Sequence, residues 1–228
     1  MKTYRALSAL LTYPTAEMIA AAGEIADTLL AEGLVPAAQR HSIDRLIREL
    51  RADDLLDLQE RYVALFDRVP SLSLHLFGQV HGDSRERGQA MVDLMEVYRR
   101  HGVEIAAHEL PDYLPLFLEF LGELPADEAR GMLKDIAPLV AQIHLRLAKR
   151  GSAYAGVLAV LLALADFAPL ADDAEPEVSP EDSFEAIDKE WEDREIRFGD
   201  GTTETAGACG KAAALVRRME TAETGGPR

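Results

Sequence analysis

Between Tyr4 and about Ala168 the apolar residues recur with the 3.6-residue period of an α-helix, and this more than anything else limits what the chain can fold into. Ile43, Leu46, Ile47 and Leu50 stand at i, i+3, i+4 and i+7. Leu55, Leu58, Tyr62, Leu65 and Phe66 make a second stripe, Ala90, Met91, Leu94, Met95 and Tyr98 a third, and Leu114, Phe117, Leu118 and Leu121 a fourth. No run combines period-2 alternation with β-branched residues. The reading is an all-α, single-domain, bundle-like fold of about eight helices joined by short links.

Local signals place the ends of these helices. Tyr13-Pro14 ends a first helix, and Thr15 is an N-cap for one running to about Ala31, with Gly33 just beyond it. Pro36 sits where a first helical residue would. A further helix begins near Asp53, and Pro70 to Val80 is irregular yet apolar. Asp83-Ser84 caps the helix that Gly102 closes, and Asp112 opens another. Asp127 to Lys149 and Ser152 to Ala168 complete the set, with a kink expected at Pro138.

Composition changes at Asp172. From there to Glu195 twelve acids face two bases, in a chain whose net charge is −16. Such a segment buries too little apolar surface to order itself, so the expected division is a helical domain over 1–171 and an acidic, largely disordered tail over 172–228. The acidic balance opposes sequence-independent binding of nucleic acid and docking on anionic lipid, while it attracts a basic peptide. Ala153 to Ala165 is the longest apolar stretch, well short of the ~20 residues that cross a bilayer. The single cysteine, Cys209, rules out a disulfide framework, and Met1 to Leu11 lacks a signal-peptide core. These features predict a soluble cytoplasmic protein with no membrane insertion.

Reactive groups are scarce. Of the six histidines only His108, with Glu104, has helical metal-ligand spacing, and that segment reads as a loop. Thr205 to Ala212 looks like a phosphate loop but lacks its first glycine, its closing hydroxyl residue and a preceding strand. No nucleophile elbow occurs. Paired acids such as Asp53 and Asp54, or Glu60 and Asp67, lie where helix caps and polar faces explain them. The expectation is no catalysis, no cofactor and no metal. What remains is surface: His75 and His81 flank Gly78 in an apolar segment that leads into a densely charged helix start.

Four blocks carry a family resemblance. Ser73-Leu-His-Leu-Phe-Gly-Gln-Val-His-Gly-Asp-Ser-Arg-Glu-Arg-Gly-Gln-Ala-Met-Val-Asp-Leu94 and Glu109-Leu-Pro-Asp-Tyr-Leu-Pro-Leu-Phe-Leu-Glu-Phe-Leu121 resemble the signature of the nitrate reductase molybdenum-cofactor assembly chaperones (NarJ-type). Glu60-Arg-Tyr-Val-Ala-Leu-Phe-Asp67 resembles the motif shared with the wider TorD-like redox-enzyme chaperones, and Trp191 to Gly199 resembles a NarJ-type tail. The similarity runs from Tyr4 to about Gly199.

The resemblance implies a non-catalytic chaperone that binds the N-terminal segment of the apo catalytic subunit of respiratory nitrate reductase until cofactor and iron–sulfur insertion are complete. Cofactor-delivery proteins are further candidate partners. A same-fold chaperone of another molybdoenzyme is the alternative, and a nucleotide-binding or nucleotide-hydrolysing protein a more distant one. The expected site is one apolar groove bordered by acids, for helix-in-groove recognition of a basic peptide. It would be built from Tyr62, Leu65, Phe66, Leu74, His75, Phe77, Tyr98, Leu114 and Phe117. Glu60, Asp67, Asp112 and Glu119 would meet peptide cations, and His81 would stand beside them.

Overall fold

The computed structural model describes residues 1–78, 85–105 and 109–167. His81, the Asp83-Ser84 cap, His108 and the acidic tail lie outside the described residues. Nine α-helices appear among them: α1 (Lys2–Leu11), α2 (Ala16–Ala20), α3 (Ala22–Glu32), α4 (Ala37–Ala52), α5 (Leu55–Tyr62), α6 (Arg85–Arg100), α7 (Leu114–Glu123), α8 (Ala126–Lys149) and α9 (Ala155–Leu164). No β-strand occurs among the described residues; a single isolated antiparallel bridge pairs His75 with Tyr113. The all-α expectation is met.

Capping explains most of the boundaries. The Thr15 side chain accepts the Met18 amide at 3.2 Å, and the Asp54 carboxylate accepts the Leu56 amide at 2.9 Å. Glu32, at the end of α3, caps a different helix: its carboxylate accepts the Lys2 amide at 2.9 Å and the Thr3 amide at 2.6 Å at the start of α1. Gly33, with φ of 68°, ends α3 in the left-handed conformation that glycine adopts without strain.

Three boundaries differ from expectation. The helix foreseen from Thr15 to Ala31 divides at Ala21, whose amide is shared between the Glu17 and Ile19 carbonyls. Pro36 has an extended ψ of 147° and so stands at the cap, leaving Ala37 as the first helical residue. Asp112 does not open α7: Tyr113 is its N-cap, and the Asp112 side chain points into the protein. Helix α8 runs through Pro138 as one continuous span.

Helix α9 is apolar on nearly every side and forms the middle of the fold, packed against α8 and α4. Gly156 permits its approach to α4, because a Cβ there would lie 2.6 Å from the Ser42 Cβ. Helix α1 packs across α7 and α3, with Leu7, Leu10 and Leu11 fully buried. None of the described helices is long and apolar enough to cross a membrane.

Candidate functional site

The segment after α5 shapes the site. Over Val63–Asp67 the helix widens into a π-turn, closed by the Arg68 amide donating to the Val63 carbonyl at 3.0 Å. Such a turn inserts one residue into the helical ladder and re-aims the side chains around it, and it is frequent at functional sites. Here it leaves Tyr62 and Phe66 packed with their rings tilted at 53° and 4.8 Å between centroids, both buried. Tyr154 packs edge-on against Phe66 at 5.1 Å, and Tyr13 edge-on against Tyr62 at 5.6 Å.

A second segment closes the other side. Leu74 to Leu76 pairs with Asp112 to Leu114 through the Leu76 amide on the Asp112 carbonyl and the Leu114 amide on the Leu74 carbonyl, both 2.9 Å. That register sets the His75 ring beside Tyr113, with centroids 5.3 Å apart. The two halves meet at the Tyr62 and Tyr113 hydroxyls, 3.1 Å apart. Tyr62 donates to the buried Leu11 carbonyl at 2.9 Å, so the proton between the two phenols comes from Tyr113. Burial pushes the phenol pKa of Tyr62 far above the ordinary range and raises that of Tyr113.

The result is an open cleft of about 230 Å³ lined by Tyr13, Tyr62, Phe66, Leu74, His75 and Tyr113, with the carboxylates of Asp67 and Glu109 at its edge. It is smaller than the ~300–1,000 Å³ typical of small-molecule sites. Exposed Leu110 continues the apolar surface beyond Glu109. Two acidic side chains, with no lysine or arginine among the described lining residues, favour a cationic neighbour for whatever apolar group enters.

The single groove read from the sequence is not what the chain builds. Tyr62, Phe66, Asp67, Leu74 and His75 converge on this cleft. Tyr98 and Glu119 line a second, larger one of about 510 Å³ along α7, with Leu116, Phe120 and Glu123. Phe77 lies in the core, and so do Leu114 and Phe117, because α7 is apolar around most of its circumference and turns these two inward. Leu65 faces a third depression, beside Arg45 and Arg61, and Glu60 is exposed on α5.

Asp112 is not at a peptide-facing edge. Its fully buried carboxylate accepts the Phe77 amide at 3.1 Å, faces the His75 Nδ1 at 3.2 Å and lies 3.7 Å from the Arg87 guanidinium. The residues that spacing alone missed are Tyr13, Glu109 and Tyr113. Tyr13 sits in an interhelical link, and the other two stand in a loop with no helical period to mark a face.

The described residues thus form an all-helical domain with an aromatic, acid-edged cleft. The chain belongs to the nitrate reductase delta subunit family, whose profile matches residues 28–160. Over 195 residues it is 42% identical to the nitrate reductase molybdenum cofactor assembly chaperone NarJ of Escherichia coli K12, covering 84% of this chain and 83% of that one. It is 41% identical over 147 residues to a probable chaperone of the same kind, NarW, from that strain, covering 63% of this chain and 64% of the relative. A probable NarJ chaperone of Bacillus subtilis is 33% identical over 162 residues, covering 71% of this chain and 86% of the relative. These relatives are named as assembly chaperones and not as enzymes. The NarJ-type resemblance of the two long motif blocks is thereby borne out.

Proposed function

We propose that this chain is the assembly chaperone of a respiratory nitrate reductase. It binds the N-terminal segment of the apo catalytic subunit and keeps that subunit open to molybdenum-cofactor and iron–sulfur insertion before membrane assembly. The observation that carries this reading is the position of the aromatic cleft. It is lined by Leu74 and His75 of the Ser73 to Leu94 block, Glu109 and Tyr113 of the Glu109 to Leu121 block, and Tyr62, Phe66 and Asp67 of the Glu60 to Asp67 block.

The chemistry of the cleft selects a short amphipathic segment with basic residues. One or two apolar anchors would each contribute about 1.5–3 kcal/mol on burial, and Asp67 and Glu109 would speed association of a cationic chain. Ordering the segment costs about 2–5 kcal/mol. The surplus is modest, which suits a chaperone that must release its client once the cofactor is in place.

The test is made in cells. Nitrate reductase purified from a strain lacking this chain should contain little molybdenum, and the wild-type chain should restore it. A chain carrying Tyr13→Ala with Glu109→Lys should restore it poorly while accumulating to wild-type levels. Full molybdenum content in the absence of the chain would refute the reading, and restored molybdenum in a different molybdoenzyme alone would name another client.

A further inference from the structure

Positive charge is not spread evenly over the folded body. Helix α4 carries four arginines against two acids, and the stretch from Ile136 to Arg150, ending α8, carries three bases and no acid. These elements meet where the Arg45 guanidinium donates to the Gly151 carbonyl at 2.8 Å. Two adjoining depressions of about 370 and 410 Å³ open there, sharing Arg45 and the Gly151 to Ala153 turn. Their linings include the apolar Ala148, Ala159 and Leu65, Arg150 lines the second, and Arg48 on α4 and Lys149 at the end of α8 are exposed. Part of the charge is already matched, since Arg45 pairs with Glu49 at 2.9 Å and Arg61 with Asp53 at 2.8 Å. Arg48 and Arg150 form no ion pair among the described residues; each guanidinium instead donates to a backbone carbonyl of its own helix, Asp44 and Arg146 respectively.

We propose that this basic face is the docking surface for the chain's own acidic segment, residues 172–195. Three observations favour that occupant over a separate anion. The first is charge: twelve acids against two bases in the segment meet the basic face of a chain that is otherwise strongly acidic. The second is reach. Helix α9 begins beside the Gly151 turn and its ten residues span about 15 Å. The five residues 168–172, extended, cover about 17 Å, so the first acid can already return to the face. The third is tethering, which gives the segment an effective concentration of about millimolar order, against which a free anion must compete.

The aromatic cleft repels the same segment through Asp67 and Glu109. Docking on the α4–α8 face therefore keeps the apolar residues of the segment, Phe184, Ile187 and Trp191, away from the client site, and seats them on the alanine-rich linings. This inference stands whether or not the client is nitrate reductase.

Trp191 is the only tryptophan, so its fluorescence reports on the segment in the intact protein. Acrylamide quenching of the full chain should be about twofold weaker at about 0.01 M ionic strength, where screening reaches about 30 Å, than at about 1 M, where it reaches about 3 Å. Lys149→Glu with Arg150→Glu, both exposed, should raise low-salt quenching to the high-salt value. So should Glu190→Lys with Glu192→Lys in the segment, which leaves the helical body untouched. Combining the two reversals should restore protection. Quenching at low salt equal to that of a free 172–195 peptide would overturn the proposal. Protection that survives either reversal made alone would overturn it too, as would protection lost on adding a client peptide alone, which would place the segment in the aromatic cleft.

Discussion

The buried carboxylate of Asp112 faces the Nδ1 of His75 at 3.2 Å and at the same time accepts the Phe77 amide at 3.1 Å. One side chain from the loop before α7 thus fixes both the ring that walls the cleft and the backbone behind it. Asp112→Leu leaves the Phe77 amide and Arg87 without this partner and should cost about 2–4 kcal/mol of stability. Asp112→Asn keeps the shape and should cost less. Urea unfolding of the two variants measures the difference; equal midpoints for Asn and Leu would show that an acceptor for the Phe77 amide is immaterial.

The Tyr62 hydroxyl offers a graded comparison. Tyr62→Phe deprives the buried Leu11 carbonyl of its donor and should cost about 1–3 kcal/mol. Tyr113→Phe removes only the outer half of the phenol pair, leaves the Leu11 bond in place, and should cost under about 1 kcal/mol. Thermal melts of both variants would check the order.

Alkaline stability follows from the same phenols. Burial, the largest cause in each case, raises the phenols of Tyr62, Tyr98 and Tyr154 far above the ordinary tyrosine range of about 10, where the unfolded chain titrates. The folded state therefore holds protons that the unfolded state gives up. The stability these groups contribute is fully present below about pH 10 and is lost as pH rises beyond it. The tyrosinate absorbance of these buried phenols should rise late, coincident with loss of helical circular dichroism. A single early rise with the helices intact would contradict the burial.

Gly156 tests the packing of α9 on α4. A Cβ placed there would stand 2.6 Å from the Ser42 Cβ and 2.9 Å from the Ser42 backbone carbon, so the helices must part. Gly156→Ala should destabilise by about 1–3 kcal/mol, against the usual gain of alanine in a helix. Adding Ser42→Gly should recover part of that loss.

The helical class and most helix positions could be read from the sequence because one-sided apolar periodicity is written residue by residue. Leu46 and Leu50 face the core for the reason their spacing implies. The site was only partly legible. Periodicity states that Phe117 and Tyr62 face inward; it does not distinguish the core behind a cleft from the cleft wall. Phe117 is fully buried, whereas Tyr62, almost equally buried, shows its ring edge to the cleft because the π-turn opens beside it. Asp112 looked like a helix cap from its position before an apolar run. Its real partners, His75 and Phe77, lie more than thirty residues away. Tyr13 and Tyr113 stand in links, where sequence carries no directional signal.

The central claim is that a basic N-terminal segment of the apo nitrate reductase catalytic subunit binds in the aromatic cleft. Calorimetric titration of the full chain with that synthetic peptide tests it most directly, with a scrambled peptide of equal charge as the control and Glu109→Lys and Tyr13→Ala as variants. The account predicts saturable one-to-one binding of the native peptide alone, weakened about tenfold, or about 1.4 kcal/mol, by either variant. Equal binding of both peptides, or native binding unchanged in both variants, would contradict it.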